Sequence, residues 1–182
     1  MELGRFPCIK WIKDNSSNTS VLQKFLKIRP SGRWLMLGDH AAQSNRQLWT
    51  AWHCSERRFK RNKSLARNVD AEFIRYLAGT HHVSDAFQRA GLSDDANNGW
   101  LVYLPECDDF SDGMAFPKTS YSEIFENESL ELLELLNLEL SEELPSLSIS
   151  NANILGLESD NIDIEDLENS LIGFILSSEF NS

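Results

Sequence analysis

The chain has 182 residues, 41% hydrophobic and 10% aromatic, which is enough to build a core and excludes a wholly disordered chain. Its longest apolar stretches, such as 100–104, run to about five residues against the ~20 of a spanning helix, so no membrane segment is expected. The net charge of −11 is segregated: residues 1–92 carry 16 of the 17 Lys and Arg with 7 of the 28 acids (+9), and residues 93–182 carry one base with 21 acids (−20).

Taken in chain order, Cys8–Ile12 is short, apolar and followed by the turn-forming run 14–18, which suggests a first strand. Val21, Leu22, Phe25, Leu26 and Ile28 have helical spacing, and Pro30-Ser31-Gly32 stops that helix. Trp34–Leu37 reads as a second strand ended by Gly38. Asp39 is the expected N-cap of a long helix over 41–61, with Leu48, Trp52 and Phe59 as its apolar stripe. Val69, Phe73 and Leu77 share a helical face closed by Gly79, and Val83, Phe87 and Ala90 share another closed by Gly91. The run 100–104 is the best strand. Residues 105–120 and 146–161 read as acidic or polar loops. Between them, 121–138 reads as an acidic helix with Ile124, Phe125, Leu132, Leu135 and Leu136 inward. Ile164, Leu167, Leu171 and Ile175 indicate a terminal helix. Short strands mixed with helices, without regular βαβ alternation, predict an α+β fold: a single domain over 1–182 with a small, mostly antiparallel sheet flanked by helices.

Enzyme chemistry is missing from these patterns. The glycines are scattered singly, and no kinase, hydrolase or zincin signature is present. Cys8, Cys54 and Cys107 are odd in number and far apart, which fits neither a disulfide framework nor a zinc spacing. The N-terminal residues show no signal-like apolar region, so a reduced cytoplasmic protein is expected. His53 and Cys54 are neighbours on a helix and diverge by about 100°, a poor nucleophile–base pair. His81, His82 and Asp85 are too sparse a ligand set for a metal and read as a polar helix start. No cofactor is expected.

A cationic, aromatic stretch is present instead. Arg57, Arg58, Lys60, Arg61, Lys63, Arg67 and Arg75 are interleaved with Phe59, Phe73 and Tyr76. Cations that track a backbone, beside planes on which bases stack, suit single-stranded nucleic acid. The competing reading is a solvated basic helix face with its aromatics in the core.

The run Ala66-Arg67-Asn68-Val69-Asp70-Ala71-Glu72-Phe73-Ile74-Arg75-Tyr76-Leu77-Ala78-Gly79, followed by His82-Val83-Ser84-Asp85-Ala86-Phe87-Gln88-Arg89-Ala90-Gly91-Leu92, resembles the signature of the TPRKB family. This is the small kinase-binding subunit of the KEOPS (EKC) complex. The resemblance is specific over 65–104 and loose elsewhere. Asn68 stands where the family usually has a hydroxyl, and His81-His82 replace a more common Arg-Gln or Asn pair.

The resemblance implies a non-catalytic subunit that binds and supports the small atypical kinase/ATPase subunit of KEOPS, and through it the threonylcarbamoyl transferase subunit. It further implies engagement of the single-stranded 3′ CCA end of tRNA, for threonylcarbamoyladenosine modification beside the anticodon. The location implied is cytoplasmic, and also nuclear if the source is eukaryotic. On this basis Arg61, Lys63, Arg67, Arg75 and His82 are the candidate RNA contacts, and Val83, Phe87 and Leu92 the candidate kinase interface. The alternatives are an ion pair of Arg67 with Glu72 or Asp70, a core role for the three apolar residues, and a stand-alone RNA- or protein-binding module.

Overall fold

The computed structural model describes residues 3–14, 18–108 and 113–180. The middle of the expected turn at 14–18 and residues 109–112 of the expected loop lie outside them. Seven helices and four strands form among the described residues. The strands are β1 (Cys8–Ile12), β2 (Trp34–Leu37), β3 (Asn98–Tyr103) and β4 (Glu139–Ser141), in the antiparallel order β2-β3-β1-β4. The helices are α1 (Val21–Ile28), α2 (Asn45–Lys60), α3 (Val69–Leu77), α4 (Val83–Ala90), α5 (Tyr121–Leu135), α6 (Ile149–Leu155) and α7 (Ile164–Ser177).

Both faces of the sheet are covered, which is why its strands read as apolar runs and not as alternating ones. Register places Cys8, Leu35, Leu37, Trp100 and Val102 on one face. That face packs with residues of α2, α3, α6 and α7, including Trp52, Phe73, Leu155 and Leu171. Trp11, Trp34, Met36, Leu101 and Tyr103 point the other way, onto Val21 and Phe25 of α1 and Leu132, Leu133 and Leu136 of α5. Lys10 falls on the first face and is buried. Its ammonium lies 4.9 Å from the centre of the Trp100 ring and pairs with Asp39.

Three sequence expectations are corrected, and one strand is added. Helix α2 begins at Asn45, not near residue 41. Ser44 and Gln47 form a reciprocal capping box, while Ala41 and Ala42 are buried in the turn before it and Asp39 serves Lys10. In α5 it is Leu133, not Leu135, that faces the core; Leu135 is 64% exposed. The stretch 146–161 is not all irregular. Ser148 accepts a hydrogen bond from the Asn151 amide, and Gly156 (φ 107°) ends a two-turn helix. Strand β4, unread in the sequence, pairs with β1 at the sheet edge.

Four helices share one ending. At α2 the Lys63 amide bonds to the Arg58 carbonyl and the Asn62 amide to the Phe59 carbonyl, around Asn62 at φ 53°. The same pair of bonds closes α3 around Gly79, α5 around Asn137 and α6 around Gly156. This is the Schellman ending, and it needs one left-handed residue. At α2 it reverses the chain immediately after the basic turn and so sets the direction of 63–68.

Candidate nucleic-acid and partner interface

The loop 63–68 and the start of α3 are held by one buried ion pair. Glu72 and Arg75, one turn apart on α3, are both fully buried. Arg75 donates from Nη2 to Glu72 Oε1 at 2.7 Å and from Nε to Oε2 at 3.2 Å. Its Nη1 reaches the Thr80 carbonyl at 3.0 Å, and its guanidinium lies 4.4 Å from the Tyr76 ring centre. Glu72 Oε2 also accepts the Leu65 and Ala66 amides, at 3.2 and 2.8 Å. All three guanidinium nitrogens and both carboxylate oxygens of the pair are thus engaged inside the protein, and one carboxylate fixes the loop that leads to Arg67.

Arg75 is therefore corrected as an RNA contact: its guanidinium has no access to a phosphate. Phe73 and Tyr76 are corrected as stacking surfaces, since both are fully buried, while Phe59 is half-buried. Of the other candidates, Arg61, Lys63, Arg67 and His82 are exposed. No ion pair engages Arg61, Lys63 or Arg67 among the described residues. The expected partners of Arg67 are taken, Glu72 by Arg75 and Asp70 by Arg29 at 2.8 Å.

The sequence reading did not single out the end of the chain as part of this region. A groove beside the C-terminus of α2 is lined by Arg57, Arg58, Arg61 and Lys63 together with Glu179 and Phe180. Glu179 forms an ion pair with Arg57 and accepts from the Tyr76 hydroxyl at 3.2 Å. Its backbone carbonyl accepts from Arg58 at 3.0 Å. Arg58 is oriented by the Tyr76 oxygen at 3.0 Å and the Lys63 carbonyl at 3.3 Å. Burial alone would raise the Glu179 carboxyl, but Arg57, Tyr76 and Arg58 together hold it below its ordinary 4.5. Only the pairing of Arg57 with an acid 122 positions away could have revealed this, and nothing in local spacing signals it.

Helix α4 is asymmetric. Ala86 and Ala90 form its buried side, Val83 is half-buried, and Phe87 is 46% exposed. Small residues on the buried side let α4 sit close to the body of the fold and leave the larger ring outside. Leu92 belongs instead to the core beneath the sheet with Trp11, Trp34 and Met36, and is corrected as an interface residue. Gly91 cannot carry a side chain: a Cβ there would lie 2.6 Å from the Phe87 carbonyl oxygen.

Burial pushes the Cys54 thiol up to about 12, so it stays protonated near neutral pH and is no nucleophile. Among the described residues, no group of three His, Cys, Asp or Glu side chains is placed to hold a metal. None of the described helices is long and apolar enough to cross a membrane.

The α+β fold thus carries an exposed basic loop after α2 and a helix, α4, whose largest apolar residue lies outside. Residues 13–132, from the end of β1 to well inside α5, match the family described as kinase binding protein CGI-121. The chain belongs to this family, which is the TPRKB family that the 66–92 signature resembles. A kinase is the partner that membership supplies. No curated protein matches the chain.

Proposed function

We propose that this chain is a non-catalytic subunit of the KEOPS complex that binds the complex's small atypical kinase and brings it tRNA by the single-stranded 3′ end. The observation that carries the tRNA half is the state of Arg61, Lys63 and Arg67. Three exposed cations, without ion pairs among the described residues, run from the end of α2 into a loop pinned by the buried Glu72–Arg75 pair. Cations left unpaired on an ordered loop are free to neutralise phosphates, and their ordering cost has already been met by folding. Phe87, with Val83 beside it on α4, is the apolar centre proposed for the kinase contact, since interface cores favour aromatic residues without charge.

The test is to mix the chain with its organism's small KEOPS kinase, with and without tRNA, on a sizing column with light scattering. The expected result is a joint peak that shifts again with tRNA. An Arg67→Glu variant should keep the kinase peak and lose the tRNA shift. Two separate peaks from folded proteins would reject the kinase assignment. A native tRNA shift with Arg67→Glu would remove that residue from the RNA surface.

A further inference from the structure

We infer that the groove beside the end of α2 is a phosphate subsite for single-stranded RNA, and that the chain's own Glu179 is its resident anion, which an RNA phosphate must displace. The inference rests on the RNA-binding reading above and deepens it. It adds Arg57 and Arg58 to the contact surface and gives the end of the chain a role.

The geometry carries it. Four cations, Arg57, Arg58, Arg61 and Lys63, line one groove. Only Arg57 and Arg58 are engaged, and the acidic partner they share is Glu179: its carboxylate is bound by Arg57 and its carbonyl by Arg58. The Tyr76 hydroxyl donates to the same carboxylate, so the groove presents guanidinium and hydroxyl donors to one anion. That donor set suits phosphate as well as carboxylate. The next residue, Phe180, projects into water with 83% of its surface exposed and lines the same groove. A carboxylate followed by an exposed aromatic ring presents the groove with the two things a nucleotide presents, an anion and a plane. Arg61 and Lys63, at the rim and without ion pairs among the described residues, would receive the neighbouring phosphates.

If the carboxylate and a phosphate compete for Arg57, removing the carboxylate's charge must tighten RNA binding. The same phosphate is neutralised by Arg57 with or without the carboxylate, so the change falls on affinity and not on the salt slope. A tail that merely anchors α7 predicts no such change. The experiment is a fluorescence-anisotropy titration of the full chain with labelled oligo(rC) at several salt concentrations. It compares wild type, Glu179→Gln and the double variant Arg61→Glu/Lys63→Glu.

The expected result is several-fold tighter binding by Glu179→Gln with an unchanged slope, and loss of binding by the double variant. Unchanged affinity for Glu179→Gln, while the double variant loses binding, overturns the resident-anion inference and leaves the RNA surface standing. Failure of wild type and Glu179→Gln alike to bind overturns both. Should Glu179→Gln not fold, the wild type decides. On RNA addition the side-chain resonances of Arg57 and Arg58 and the Glu179 amide should shift together in NMR spectra. Shifts confined to Arg61, Lys63 and Arg67 would overturn the inference.

Discussion

Arg67 and Arg75 lie eight positions apart in one basic run, and their environments give them opposite roles. Arg75 is out of water and hydrogen-bonded to Glu72 and the Thr80 carbonyl, so deleting it leaves a buried carboxylate without its counter-charge. Breaking such a pair costs about 3–5 kcal/mol. Arg75→Ala should therefore lower unfolding free energy in urea by about that much, whereas the exposed Arg67→Glu should stay within about 0.5 kcal/mol of wild type. A native urea midpoint for Arg75→Ala would sink the account of the buried pair. The i, i+3 spacing of Glu72 and Arg75 was visible in the sequence. Their burial was not, because the stripe Val69, Phe73, Leu77 turns both toward a side that looks solvated until the 64–68 loop and Thr80 cover it.

At the scale of elements, what was legible followed punctuation. Strands β1 and β2 and helices α1, α3 and α4 lie where Pro30, Gly38, Gly79 and Gly91 separate apolar patterns. The start of α2 was misread because Asp39 is a plausible cap on composition, while the Ser44–Gln47 box further along wins by satisfying two backbone groups at once. β4 has three residues, too few for alternation to show, and α6 is built from Ser and Asn, which local pattern assigns to a loop. Gly79 joins two elements. It takes φ 56° to end α3, and a Cβ on it would come within 2.3 Å of the Phe174 ring of α7. A side chain in the left-handed region costs about 1–2 kcal/mol before Phe174 moves at all. Gly79→Ala should then lower Tm by at least about 2–4 °C, with α7 loosened first in hydrogen exchange. Unaltered Tm and exchange would show that the helix end has another conformation available.

Across the whole molecule, the segregation of charge becomes a set of contacts between the two halves. Arg46 meets Glu168 at 2.9 Å, Arg57 meets Glu179, and Lys10 lies 4.0 Å from Glu143. Such asymmetry was legible as attraction between halves, but not which partners it would choose, since those pairs span more than a hundred positions. Their pH dependence can be derived for Glu179. Its folded carboxyl titrates below 4.5, so in the acid range the unfolded chain binds the proton first. Stability from this contact is present above pH 4.5 and is lost as pH falls through the lower folded value. Glu56 acts in the opposite direction. Burial raises its carboxyl in spite of Arg33, so the folded state takes up that proton first and gains stability as pH falls toward 4.5. The acid limb of the wild-type curve is a sum of such terms and identifies neither. The difference between wild type and Glu179→Gln isolates one, because Glu56 is common to both and shares no partner with Glu179. That difference, measured by urea unfolding across a pH series, should favour wild type and stay level from pH 7 to about 5, then shrink below pH 4.5. A difference that does not change with pH would mean that the Arg57–Glu179 contact is not ionic in solution, and the resident anion of the groove would go with it.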